Sequence, residues 1–572
     1  MSLLADLAYQ ASSWAAPSVS TGFWNMSMAS HVLRVQADLG ELNEFYNIAI
    51  APRRFEALET FYRDELELLN DIDFDGLDQD GKVDYVLLRT FHTRQLNNLD
   101  LQKSSQKQFI GLLPFADNLV GVLEARQDVK PMVAKDTAKS LNDITKSIVE
   151  VQKKVTSGGF NVTETTGYLA SKAITDLLDH VVEWFTFYST YDPMFDFWVT
   201  TPWKALNATL SDYLGVVQTE LARMNQGNGQ DAIVGEPIGR AGLEVELEAE
   251  MIPYTPEELI EIGNQEFDWC EKEMIKQSQA LGYGDVWKDA LEHVKNDYME
   301  PGKQTEMVRE LVVEGSNFIQ ERDMVTVPPL ANSTWRMTMI EAERQKVSPF
   351  FLGGPVIQVS YPVVEMEHDL KLMVMRGNNK HFARATAFHE MFPGHRLQLY
   401  VAERYNSHRR YMFDTPFFVE GWSLYWEMVF YERDDFHTSP EGRIGALWWR
   451  MHRCLRIIFS LKFHLGQMTA QEAVDLLVNR IYHERSNAEG EVRRSVEGSY
   501  SPLYQAGYML GALQLWKLRE LTVDSGDWSE KAFHDAVLKT SMMPIELVKA
   551  LLLGDELTRD FKSTWKFYDF GE

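Results

Sequence analysis

Apolar residues recur three or four positions apart through most of residues 1–220, for example from Asn142 to Lys154 and from Ala173 to Phe187. That period predicts amphipathic helices. A stretch rich in Gly, Asn and Gln, Asn225 to Gly235, breaks the pattern and reads as a linker. Thr255-Pro256-Glu257-Glu258 then has the marks of a helix start, with a hydroxyl cap, proline at the first helical position and an acid three residues after the cap. This helix is expected to reach Gly282. Asp323 to Leu330, Arg336 to Ala342 and Gly353 to Tyr361 read as short strands, rich in β-branched residues and punctuated by Pro and Gly. From Asn379 to the C-terminus the helical period returns. The expected fold is mainly α, a large helical body with a small β element and a central cleft. Its N-terminal helical region covers 1–224 and its catalytic region 236–572, with a soft boundary inside one integrated body.

Chemistry concentrates in Phe388-His389-Glu390-Met391-Phe392-Pro393-Gly394-His395. Phe382, Ala385, Phe388 and Phe392 have helical spacing, and Asn378 or Asn379 is available as the cap, so His389 and Glu390 are expected on a helix. A hydrolytic zinc needs neutral nitrogen ligands, an open position for water and a carboxylate beside that water. His389 and His395 are the candidate ligands and Glu390 the candidate base. Histidines four apart lie about 40° apart around a helix axis, whereas six apart gives about 120°, which a straight helix would not converge. Pro393 lacks the N–H for an intrahelical bond and Gly394 tolerates unusual backbone angles, so the helix is expected to break after Phe392 and swing His395 back.

Thr415 and Pro416 again mark a helix start, followed by a segment that is aromatic or aliphatic on nearly every side. Such a helix should be buried, and unpaired carboxylates on it would be costly. Glu420 and Glu427, seven apart and on one face, are therefore assigned to the metal and to a histidine N–H respectively. The donor that steadies an oxyanion opposite the metal is sought downstream among His464, His483, Arg494, Tyr500, Tyr504 and Tyr508, with Tyr508, His464 and Arg494 taken as the candidates.

Charge narrows the partners. The 572 residues carry 56 basic and 84 acidic side chains, a formal net charge of −28 that repels phosphate backbones and anionic lipid surfaces. Nucleic acid and membrane are not expected partners; a peptide or small amide substrate is. Cys270 and Cys454 form no CxxC pattern, so neither a disulfide framework nor a thiolate zinc site is indicated. Met1 to Ala16 has no Lys or Arg before its apolar stretch and makes a poor secretory signal. Sequons begin at Asn25, Asn161, Asn207 and Asn332, but a few such matches arise by chance. The expected location is cytoplasmic.

These motifs together resemble the domain of unknown function 885 family, whose members are regarded as zinc peptidases. The resemblance rests on Phe388 to His395, similar to an HExxPGH block, and on Phe418 to Glu427, similar to FVEGWALYxE. Phe351-Leu352-Gly353-Gly354 and Glu491-Val492-Arg493-Arg494, followed by Pro502, Tyr508 and Gly511, extend it over residues 240–530. It implies a helical, gluzincin-like metallopeptidase body holding one Zn²⁺ through His389, His395 and Glu420, with Glu390 as base. Where the family usually has DTGxH this chain reads Ser460-Leu461-Lys462-Phe463-His464, and Tyr504 stands where a glutamine is usual, with Gln505 one place on. The expected activity is hydrolysis of a peptide or amide bond by metal-activated water. Its rivals are a metal-dependent tailoring enzyme acting on one small metabolite and a non-catalytic binding protein on the same scaffold.

Overall fold

Thr255 accepts from the Glu258 amide while the Glu258 side chain accepts from Thr255, and this reciprocal cap starts a helix that runs Pro256–Ala280, two residues short of Gly282. The computed structural model describes residues 26–224, 233–345 and 350–571. Met1 to Ala16, the sequon at Asn25 and most of the linker Asn225 to Gly235 lie outside them.

The elements that build the site are α1 (Pro256–Ala280), β1 (Arg336–Met339), β2 (Val356–Val359), α2 (Lys380–Glu390), α3 (His395–Ala402), α4 (Pro416–Tyr431), α5 (Pro440–His464), α6 (Arg485–Val496) and α7 (Tyr504–Arg519). The fold is mainly α. β1 and β2 pair in parallel, Arg336 opposite Val356 and Met339 opposite Val359, as a two-stranded sheet. Asp323 to Leu330 is not a strand: Val325 and Val327 are buried on irregular chain that leads into the short helix Pro329–Ser333. The amide and hydroxyl of Thr326 donate to Asp535, at 2.8 and 2.6 Å, so that backbone donor is unavailable for a ladder.

The helices predicted around Asn142 and Ala173 are present as Ala134–Thr156 and Glu164–Tyr188. They belong to a satellite core running from Ile48 to Val217. The main core joins α1 to α7 with Met28, Val32, Val35 and the Val83–Leu88 face of the helix Gln79–Phe109, so apolar packing crosses from the N-terminal region into the C-terminal one. Buried Arg409 pins that crossing, its Nε donating to Asp84 at 2.7 Å.

α4 and α7 touch backbone to backbone. A Cβ on Gly511 would lie 1.9 Å from the Phe417 carbonyl oxygen, and one on Gly421 would lie 2.7 Å from Gly511 Cα. Glycine at both positions lets the helix bearing Glu420 sit directly against the one bearing Tyr504 and Tyr508.

Candidate metal centre

α2 starts where the Asn379 side chain accepts from the amides of His381 and Phe382, both at 3.0 Å. Its apolar face is locked by Phe382 stacking on Trp448 of α5, ring centroids 4.3 Å apart. The helix ends at Glu390, slightly earlier than the predicted break after Phe392, and α3 begins at His395. The Phe392–Pro393 peptide between them is cis. The reversal is tight: the Gly394 amide donates to the Phe388 carbonyl at 3.1 Å, and a Cβ on Gly394 would lie 1.8 Å from the His389 carbonyl oxygen. Trp422 of α4 donates to the Pro393 carbonyl at 2.9 Å and holds the turn from the far side. As a result the His395 ring stands edge-on to that of His389, centroids 4.8 Å apart.

Thr415 caps α4, whose side chains are nearly all buried. Glu420, Ser423 and Glu427 share the face turned to the histidines. Glu420 Oε2 lies 3.1 Å from His389 Nε2 and 3.2 Å from His395 Nε2. These three buried donor atoms are within 4.8 Å of one another.

The opposite ring nitrogens are committed. Glu427 accepts from His389 Nδ1 at 2.8 Å. Ser423 gives its proton to the His389 carbonyl at 3.0 Å, and its oxygen accepts from His395 Nδ1 at 3.2 Å. Both rings therefore turn Nε2 toward Glu420, the tautomer a metal ligand requires. Tyr504 donates to the other Glu420 oxygen.

Electrostatics follow from this packing. Burial alone would lower the His389 pKa, but Glu420 and Glu427 on either side hold it up at about 9 when no cation stands between them. Burial would raise Glu420, yet the two histidines keep it well below the usual carboxylate range. Burial raises the pKa of Glu390 against the pull of His389 and His395.

His389, His395, Glu420 and Glu390 line one cavity of about 330 Å³. Gly353 forms part of the wall over Glu390: a Cβ there would lie 2.2 Å from Glu390 Oε2. Of the downstream candidates, Arg494, Tyr500, Tyr504 and Tyr508 reach this cavity, and Tyr508 stacks on His389 at 5.9 Å. His464 and His483 do not. His464 is eight residues beyond Arg456 on α5, about 12 Å along the axis, buried with no hydrogen-bond partner for either ring nitrogen among the described residues. His483 packs among Trp448, His452 and Phe350, its Nδ1 donating to the Glu484 carbonyl at 3.2 Å.

Sequence reasoning missed Ser423, Arg453 and Arg456. The two arginines face the cavity from α5, where charges among Trp448, Trp449, Leu455 and Ile457 were a signal that partners must exist. Arg456 Nε donates to Glu491 at 2.6 Å, and Arg494 pairs with the same carboxylate at 2.9 Å. Burial opposes ionisation of Glu491, but these two charges hold its pKa down at about 2.

The chain belongs to the family described as "Bacterial protein of unknown function (DUF885)", which matches residues 49–552 and so begins well before the first of the motifs. No curated protein matches it. Two solved structures share the fold. One is a candidate lipoprotein of unknown function from Shewanella oneidensis, 17% identical with a TM-score of 0.67, the match covering 92% of this chain and 100% of that one. The other is a candidate lipoprotein from Colwellia psychrerythraea, 15% identical with a TM-score of 0.58, covering 92% and 98%. At such identities the likeness is one of fold alone. Among the described residues, no helix is long and apolar enough to cross a membrane.

Proposed function

We propose that this chain is a zinc-dependent hydrolase that cleaves a peptide or amide bond with water as the nucleophile. The observation that carries it is the convergence of His389 Nε2, His395 Nε2 and Glu420 Oε2 in a cavity that Glu390 also lines. The donor set fits a divalent transition metal, since two imidazoles with their Nδ1 protons committed and one ionised carboxylate are a hydrolytic zinc's usual protein ligands. When bound, zinc would supply Lewis acidity, both acidifying water and polarising a carbonyl.

The remaining work falls to the chain. Glu390, its basicity increased by burial, takes the proton of the attacking water and returns it to the leaving amine. Tyr508, stacked on His389 with the Arg456 guanidinium 4.4 Å above its ring centroid, is the donor assigned to the developing oxyanion. Tyr504 orients Glu420.

A second reading, hydrolysis of one small metabolite, is favoured by the cavity's modest volume of about 330 Å³. Both readings are tested by metal analysis of the purified chain followed by product identification from a mixed pool of peptides and metabolites. About one zinc per chain and chelator-sensitive release of an amine and a carboxylate are expected; hydrolysis that persists after complete metal removal contradicts the proposal. The two fold neighbours are described as lipoproteins, so a site of action outside the cytoplasm is the alternative to the cytoplasmic one expected from sequence, and cell fractionation decides between them.

A further inference from the structure

Three guanidinium groups, those of Arg453, Arg456 and Arg494, line the same cavity as Glu390 and the histidines. Their side chains are only 4%, 3% and 14% exposed, in a chain whose net charge is −28. Local compensation is incomplete. Among the described residues, one carboxylate, Glu491, is ion-paired with both Arg456 and Arg494. The carboxylate nearest Arg453 is Glu427, at a long 3.5 Å, and that oxygen already accepts from His389. Four buried donors, Arg453 Nε and Nη1, Arg456 Nη1 and Arg494 Nε, have no acceptor among the described residues. Three guanidinium charges thus share Glu491 and a long contact to Glu427, and the cluster keeps positive charge and donor capacity in excess for an anion in the cavity.

The arrangement suits a planar anion. Arg453 lies over the Trp449 ring at 4.3 Å and Arg456 over Tyr508 at 4.4 Å, so each guanidinium is held against a ring and its N–H fork is suited to pair with a carboxylate. Tyr508 touches both groups, its ring centroid 4.4 Å from the Arg456 guanidinium and 5.9 Å from the His389 ring, so the two lie within about 10 Å of each other. Such a span is covered by up to about three extended residues.

We propose that Arg453, Arg456 and Arg494 form a subsite for a substrate carboxylate close to the scissile amide, so that the substrate class is a short peptide or N-acyl amino acid with a free α-carboxylate. This rests on the hydrolase reading for the position of the amide, but not for the binding of the anion. The test is calorimetric titration of the full chain with N-acetylglycine and with N-acetylglycinamide, which differ only in the carboxylate, before and after chelator treatment. N-acetylglycine is expected to bind at least about tenfold more tightly, as charge-assisted bidentate pairing implies. The preference should survive chelation and shrink in both Arg494→Gln and Arg456→Lys, the second keeping the charge and thus the fold while losing the fork. Equal affinity of the two probes overturns the subsite, as does a preference abolished by chelation, which places the carboxylate on the metal. Tighter binding of inorganic phosphate than of N-acetylglycine also overturns it. A preference that stands while neither dipeptides nor N-acyl amino acids are hydrolysed by the metal-loaded chain removes the hydrolase reading and leaves the subsite. Equal hydrolysis of dipeptides and their amides with no binding preference does the reverse.

Discussion

Glu427 accepts the Nδ1 proton of His389 at 2.8 Å, and this one contact decides which face of the imidazole is free. A carboxylate in that position can only accept, so the proton sits on Nδ1 and Nε2 turns to Glu420. The two acids of α4 are thus unequal: Glu420 meets Nε2 of both histidines, while Glu427 acts through His389 alone. Glu420→Ala is expected to lose most of the bound metal, and Glu427→Ala to bind it about 10–100-fold more weakly. Competition against a chelator of known affinity measures both; identical losses would mean the two roles are not distinct.

Gly394→Ala tests the reversal that brings His395 back. The new Cβ would be 1.8 Å from the His389 carbonyl oxygen and 2.6 Å from that of Phe388, both backbone atoms that no side-chain rotation can relieve. Destabilisation of about 1–3 kcal/mol or more is expected, together with a fall in metal affinity, because the backbone must open between the two ligands. Unfolding curves and metal titration check it. A variant with parental affinity would show that the histidines are held by α4 alone.

Gly353→Ala separates the base from the ligands. Its Cβ would meet Glu390 Oε2 at 2.2 Å and Glu390 Cα at 2.9 Å, and the flexible carboxylate end is the part that gives way most cheaply. Metal content near that of the parent with a clear drop in kcat is the expected outcome. Loss of metal in proportion to activity would place the damage at the ligands instead.

His464→Phe is expected to leave metal content and hydrolysis unchanged, because His464 does not line the cavity. It should also change acid stability. Burial lowers the His464 pKa to about 4, so the folded chain excludes a proton that the unfolded chain takes up below its ordinary value of about 6.5. That histidine's cost is absent above about pH 6.5 and grows as pH falls toward 4. Phe removes it, so the variant's stability relative to the parent should improve steadily from pH 6.5 to 4.5. Unfolding midpoints at several pH values read this directly, and a pH-independent difference would contradict it.

How far the sequence reaches can be judged from these same residues. The caps at Thr255, Asn379 and Thr415 are local chemistry, and each begins a helix as expected. The break near Pro393 is also local, although the helix stops at Glu390, before the proline, because the chain turns under Trp422 and against the His389 carbonyl. Strand patterning misled at Asp323 to Leu330, where Asp535, more than 200 residues away, takes the Thr326 donors. The downstream wall was the least legible part. Whether a helical residue faces the cavity depends on its turn of helix, and α5 presents Arg453 and Arg456 there, whereas His464 falls beyond. Tyr504, expected among the downstream donors and noted as a departure from the usual glutamine, is bonded to Glu420.

The most direct measurement compares metal content and hydrolysis in the parent chain and Glu390→Gln. Glutamine keeps the shape and can still hydrogen-bond to water, but an amide does not accept its proton at neutral pH. Metal near one equivalent per chain in both proteins, with hydrolysis reduced by about 10²–10⁴-fold in the variant, is the expected result. His389→Ala and His395→Ala, measured alongside, should lose metal and activity together. A Glu390→Gln chain that hydrolyses its substrate at the parent rate, while the histidine variants are inactive, would contradict the assignment of Glu390 as the base even with the metal site correctly placed.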